Sequence, residues 1–131
     1  KPNLNLKEYD WQTINGPIKI ENNKLKLGTS SEKCIGAEQL IQGLKAGHRY
    51  LLSTNLFIGN ADVIVVEVGG EDSKQQYIDI GTTSTPDQGA VLKKSFIATG
   101  KFSTIRLIAC KRVITEYASY VGHVSLYEVI L

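Results

Sequence analysis

Apolar residues in this chain recur at every second position, in short runs cut off by Gly and Asn before a helix could establish itself. The clearest case is Gly43-Leu44-Lys45-Ala46-Gly47-His48-Arg49-Tyr50-Leu51-Leu52-Ser53, a turn bounded by two glycines that feeds an alternating strand. The last ten residues, Gly122 to Leu131, read as a strand that closes a sheet. Successive side chains of a strand point to opposite faces, so period-two alternation buries one face and wets the other. Asp10 to Ile14 is a short strand ending at Asn15-Gly16-Pro17. Ile18-Lys19-Ile20-Glu21 and Leu25-Lys26-Leu27, separated by Asn22-Asn23, read as a hairpin. Further strands are expected at Tyr50–Ile58, Asp62–Val68, Gln75–Ile80, Lys93–Ala98, Thr104–Val113 and Tyr120–Leu131, with a long polar loop over Gly81–Gly89. Strands this short, punctuated this often, predict an all-β chain folded as a two-sheet antiparallel jelly-roll β-sandwich.

One segment competes with that reading. Ala37, Leu40, Ile41 and Leu44 stand at helical spacing. The span from Gly36 to Gly43 is short for a helix, and Ile35–Leu44 is expected to be a strand forming a hairpin with the one after Gly47. Val63-Ile64-Val65-Val66 is apolar at consecutive positions, so both faces of that strand are covered or one forms a groove.

The 131 residues suit one domain spanning 1–131. A net charge of +2, from 15 basic and 13 acidic residues, is too balanced for a nucleic-acid protein, whose partner demands a concentrated basic face. No run is apolar over the roughly 18 residues a membrane helix needs, so no membrane insertion is expected. The chain lacks Met and a charged-then-apolar leader, and reads as a mature fragment or excised module. Cys34 and Cys110 both lie in strand-like runs. They are either two buried thiols or a disulfide between neighbouring strands, the latter favoured by an oxidising compartment.

Catalytic motifs are lacking: there is no Gly-x-Ser-x-Gly, no Walker loop and no His-Glu-x-x-His. His48 and His123 are far apart, and Glu71 and Asp72 lie in a Gly-rich turn, so neither a metal site nor a carboxylate pair across a cleft is indicated. The aromatic residues carry more. Six Tyr and one Trp accompany three Phe, and amphipathic rings suit ligands with an apolar face and a hydroxyl rim. Tyr50 shares a strand face with Leu52 and is expected in the core. Trp11 either plugs one end of the sandwich or meets a ligand. Tyr77 alternates with Ile78 and Ile80 and is expected on the opposite face. Tyr117 and Tyr120 fall in a polar stretch before the last strand, where rings are harder to bury. Alternation turns Asn55 outward, and Arg106 too, where it is either paired or a donor on a groove floor. Trp11, Tyr77, Tyr117 and Tyr120 are the candidate stacking residues. Asn55, Arg106 and Glu116 are the candidates for hydrogen bonds.

The chain resembles jelly-roll carbohydrate-binding modules of the cellulose- and xylan-binding type found in bacterial glycoside hydrolases. The residues that carry the resemblance are Asp10-Trp11, Leu25-Lys26-Leu27, Ala37-Glu38-Gln39-Leu40-Ile41 followed by Gly43 to Tyr50, Lys94 to Gly100, and Val121 to Val129. The resemblance implies a β-jelly roll without catalysis, binding a sugar on its concave sheet or loop edge, secreted or at the cell surface within a larger protein. In such modules the final strand commonly carries acids that help hold a structural calcium. Gly122-His123 stands there instead, so no cofactor is expected and calcium is in doubt. The expected function is to bind a carbohydrate by ring stacking and hydrogen bonds, weakly, on the order of micromolar to millimolar per site, and so to hold a linked enzyme near its substrate. The alternatives are a spacer or protein-interaction sandwich without a sugar site and, more remotely, a small hydrolase.

Overall fold

The structure is a computed structural model that describes residues 11–69, 75–79 and 90–130, with the backbone alone described for 75–79 and for residue 90. The strands are β1 (Gln12–Ile14), β2 (Lys19–Glu21), β3 (Lys24–Thr29), β4 (Cys34–Gln42), β5 (Arg49–Phe57), β6 (Val63–Gly69), β7 (Gln75–Asp79), β8 (Ala90–Ile97), β9 (Phe102–Cys110) and β10 (Tyr117–Glu128). They form two five-stranded sheets, β1-β4-β9-β6-β7 and β2-β3-β10-β5-β8. Every pairing is antiparallel. From β3 onward the chain mostly crosses from one sheet to the other between successive strands, which is the jelly-roll connection pattern.

Local chemistry accounts for the turns. Asn22 and Asn23 both take positive φ, 52° and 62°, the backbone that a two-residue hairpin loop demands and that Asn tolerates. Gly43 and Gly47 bracket the β4–β5 turn at φ 86° and 83°. The segment expected as a strand over Ile35–Leu44 is β4, Cys34–Gln42, but the expected hairpin with β5 does not form. β4 pairs with β1 and β9, whereas β5 pairs with β10 and β8 in the other sheet. Both strands have an apolar face, and placing them in opposite sheets turns both faces into the one core.

Alternation fills that core. Leu25 and Leu27, Ile35 and Ile41, Tyr50, Leu52 and Leu56, Ile64 and Val66, Ile105 and Leu107, Val121 and Leu126 all point inward. Truncating one of these leucines or isoleucines to Ala would cost about 2–5 kcal/mol. A bulge in β10 preserves the pattern. The register shifts between Gly122 and Val124, with His123 at φ 29°, so Val124 and Leu126 stay aligned with the inward Thr54 and Leu52. The Gly122 carbonyl beside the bulge accepts a hydrogen bond from the buried Thr54 hydroxyl at 3.1 Å. Among the described residues no buried side-chain polar atom lacks a partner.

Cys34 and Cys110 are directly opposite one another on β4 and β9 and form a disulfide. The choice the sequence left open is thereby settled against two free thiols. Tyr117 and Tyr120 are also placed differently from expectation: β10 begins at Tyr117, so both lie within a strand and not in a polar connection. The expected Gly81–Gly89 loop and the Glu71-Asp72 turn lie outside the described residues.

Candidate functional site

The outer face of the first sheet is crossed by one row of directly opposed positions: Gln12 on β1, Glu38 on β4, Arg106 on β9, Glu67 on β6 and Tyr77 on β7. At roughly 4.8 Å per strand the row spans about 19 Å. Directly opposed residues share a face, which is why alternation within each strand suffices to build it. On β9, Ile105 and Leu107 go inward and Arg106 goes out; on β6, Val66 and Val68 go inward and Glu67 goes out.

Arg106 is the centre of this row. Its Nε donates to Glu38 Oε1 at 3.1 Å and its Nη1 to Glu67 Oε1 at 3.5 Å. Its side chain is 29% exposed and that of Glu67 only 5%. That carboxylate is covered although it lies on the face away from the core. Val63 and Val65 on the same face are half-buried, so this side of the strand is partly covered as well. Arg106 neutralises Glu67, which would otherwise be a costly lone buried charge. Two of its five N–H donors are used in these pairs among the described residues. Such a rank of fixed donors and acceptors can bind the hydroxyl rim of a sugar. Leu40, 49% exposed, lies on the same face of β4 and adds apolar surface.

The other candidates lie elsewhere. Asn55 and Tyr120 are on the outer face of the second sheet, across the sandwich from Arg106. Tyr120 opposes Phe57 and Lys26, and Asn55 opposes Gly122 and Val91. Glu116 lines an open cleft of about 480 Å³ beside that sheet, together with Lys19, Lys26, Thr29, Ser30 and Asn60. Asn60 shapes the cleft: its amide donates to the Glu116 carbonyl at 3.0 Å and accepts from the Ala118 N–H at 3.0 Å. Trp11 is half-buried and packs against the core, so it is not an open platform. Tyr77 is placed by register alone. The seven candidates therefore do not converge on one site.

Tyr117 is a correction. It is 2% exposed, and its hydroxyl donates to the Glu32 carbonyl at 3.0 Å, with the Ala109 carbonyl at 3.4 Å. Its ring bridges the two sheets and offers no face to a ligand. Burial, and then the Glu32 carboxylate, raise its phenol above the usual 10.0. Tyr50, as expected, is fully buried. Sequence reasoning missed Glu38 and Glu67. Glu67 had a signal, the same one that singled out Arg106: a charge inside an otherwise apolar strand. Among the described residues no group of three or more His, Cys, Asp or Glu could hold a metal ion, and no helix is long and apolar enough to cross a membrane.

No protein-family model matches the chain, and no curated protein matches it in sequence. Solved structures do share its fold. A family 4 carbohydrate-binding module matches with a TM-score of 0.64 at 16% identity, over 92% of this chain and 95% of that one. A family 61 module in complex with β-1,4-galactotriose matches with 0.64 at 11% identity, over 94% and 91%. The family 22 and family 10 modules of a Clostridium thermocellum endo-1,4-β-D-xylanase, complexed with xylohexaose, match with 0.66 at 10% identity, over 98% of this chain and 28% of that one. The fold is therefore that of carbohydrate-binding modules, some of which stand within larger glycoside hydrolases.

Proposed function

We propose that the chain is a non-catalytic module that binds a carbohydrate on the outer face of its first sheet. In the proposed mode, sugar hydroxyls donate to the Glu38 carboxylate and accept from Arg106, which the covered Glu67 carboxylate holds in place, while Leu40 meets the apolar ring face. One observation carries the reading: Arg106 is held between two carboxylates from both neighbouring strands, on an outer face of a fold shared with carbohydrate-binding modules. The disulfide and the fold support an extracellular setting. The larger hydrolase around the family 22 module supports a role in which this domain holds a linked enzyme near its substrate.

β-1,4-Galacto- and xylo-oligosaccharides, the ligands in two of the matching structures, are the first probes. A glycan array followed by calorimetry should find a neutral ligand, and Glu38→Gln should weaken it by about tenfold, the loss of one charged hydrogen bond. Binding unchanged in Glu38→Gln and in Arg106→Lys would remove the site. The rival reading, a spacer without a sugar site, draws on the sealing of Tyr50 and Tyr117 in the core. An array without any hit would favour it.

A further inference from the structure

The second sheet presents a different outer face. Lys19, Lys26, Tyr120 and Phe57 form one row across β2, β3, β10 and β5. The next row holds Glu21, Lys24, Gly122 and Asn55. Lys24 stands over the Phe57 ring, its ammonium 5.0 Å from the centroid. Gly122 is buried among its row neighbours: a Cβ there would come into ordinary contact with the Phe57, Asn55 and Lys24 side chains, the nearest at 3.5 Å. Lys93 extends the basic character beyond Asn55, opposite Ser53. The one acid in these rows, Glu21, pairs with Lys26 at 3.4 Å. The open cleft of about 480 Å³ adjoins the first row, sharing Lys19 and Lys26 as lining and adding the hydroxyls of Thr29 and Ser30 together with a second acid, Glu116. That volume falls within the range of small-molecule sites.

We propose that this face and its cleft form a second binding site, for an anionic saccharide whose carboxylates or sulfates meet Lys19, Lys24 and Lys26 and whose ring lies on Tyr120. Lysines on flexible stems neutralise such groups as point charges, the rings take the apolar face of the sugar, and Asn55 and the cleft hydroxyls take its neutral hydroxyls. Glu21, among the lysines, disfavours a strand with a phosphate at every unit and tolerates a ligand whose charges are more widely spaced. The site shares no residue with the Arg106 row.

The test is calorimetry with oligogalacturonate, a heparin-derived oligosaccharide, neutral xylohexaose and a single-stranded oligothymidylate, at low and at physiological salt. One or both anionic saccharides should bind, weakening as salt rises; which of them binds separates carboxylate from sulfate recognition. Lys24→Ala combined with Lys26→Ala should lower that affinity by about tenfold or more with the fold intact by circular dichroism. Glu38→Gln should leave it unchanged. Anionic binding insensitive to the lysine pair would overturn the proposal, as would oligothymidylate binding tighter than either saccharide. Neutral-glycan binding lost in Glu38→Gln but kept in the lysine variant would show that the first face stands whatever becomes of the second.

Discussion

The two outer faces of this sandwich are built by the same alternation from sheets of equal size, yet they handle charge in opposite ways. On the first, Arg106 is locked between Glu38 and Glu67 in the central strands, and the carboxylate of Glu67 is almost wholly covered. On the second, the lysines stand on strands nearer the edge, with Glu21 among them and Glu116 at the adjoining cleft. The ammonium of Lys26 is held above its usual 10.5, first by the Glu21 carboxylate that accepts its hydrogen bond. Arg106, on the middle strand of its sheet, meets a carboxylate from each neighbouring strand. Lys26, one strand in from the edge, pairs with Glu21, and Lys24 stands over a ring. Fixed partners give orientation, and exposed cations give long-range attraction that salt screens. The first face should therefore discriminate by hydroxyl geometry, and the second by ligand charge.

The largest expected effect breaks the frame of the first face. Replacing Cys34 and Cys110 by Ala opens a link between residues 76 apart in sequence, and chain entropy predicts a loss of about 4 kcal/mol of stability. Denaturant titration of the double variant, compared with the wild type before and after reduction, checks it. If reduction leaves the midpoint of unfolding in place, the disulfide does not anchor β4 to β9.

Arg106→Ala comes next. It leaves Glu67 covered and without its cation, which should cost about 3 kcal/mol at neutral pH. Lys24→Ala on the opposite face should stay within about 0.5 kcal/mol. Equal losses at the two positions, measured by the same titration, would erase the contrast between the faces.

Tyr117→Phe removes one buried hydroxyl and should cost about 1 kcal/mol. The pH dependence has a definite sign. The folded-state phenol is raised above 10.0, so it contributes stability that is present below that value and lost as pH climbs through the higher folded value. Thermal melts of the wild type should fall more steeply in the alkaline range than those of Tyr117→Phe; parallel curves would refute this. The smallest effect is Gly122→Ala, whose new Cβ makes only ordinary contacts. It should move stability by less than about 0.5 kcal/mol in the same denaturant titration.

Much of the fold was readable along the chain. Period-two runs located the strands, Asn22-Asn23 marked the hairpin that forms, and Tyr50 and Leu52 were assigned inward correctly, because burial of a strand face is a local pattern. Arg106 was read as outward and either paired or functional for the same reason. The failures share one cause. β4 and β5 look like hairpin partners in sequence but lie in opposite sheets, and Tyr117 sits in a polar stretch but is sealed by residues far from it in the chain.

Residue order alone thus determined what each strand turns inward and where the chain reverses, since both follow from neighbouring backbone and side-chain chemistry. Only the tertiary structure decided which strands are neighbours. That choice joined Cys34 to Cys110, set Arg106 between Glu38 and Glu67, and sent Asn55 and Tyr120 to the far side. Strand partners are selected by the packing of two whole sheets against each other, a condition on the entire chain that no local window contains.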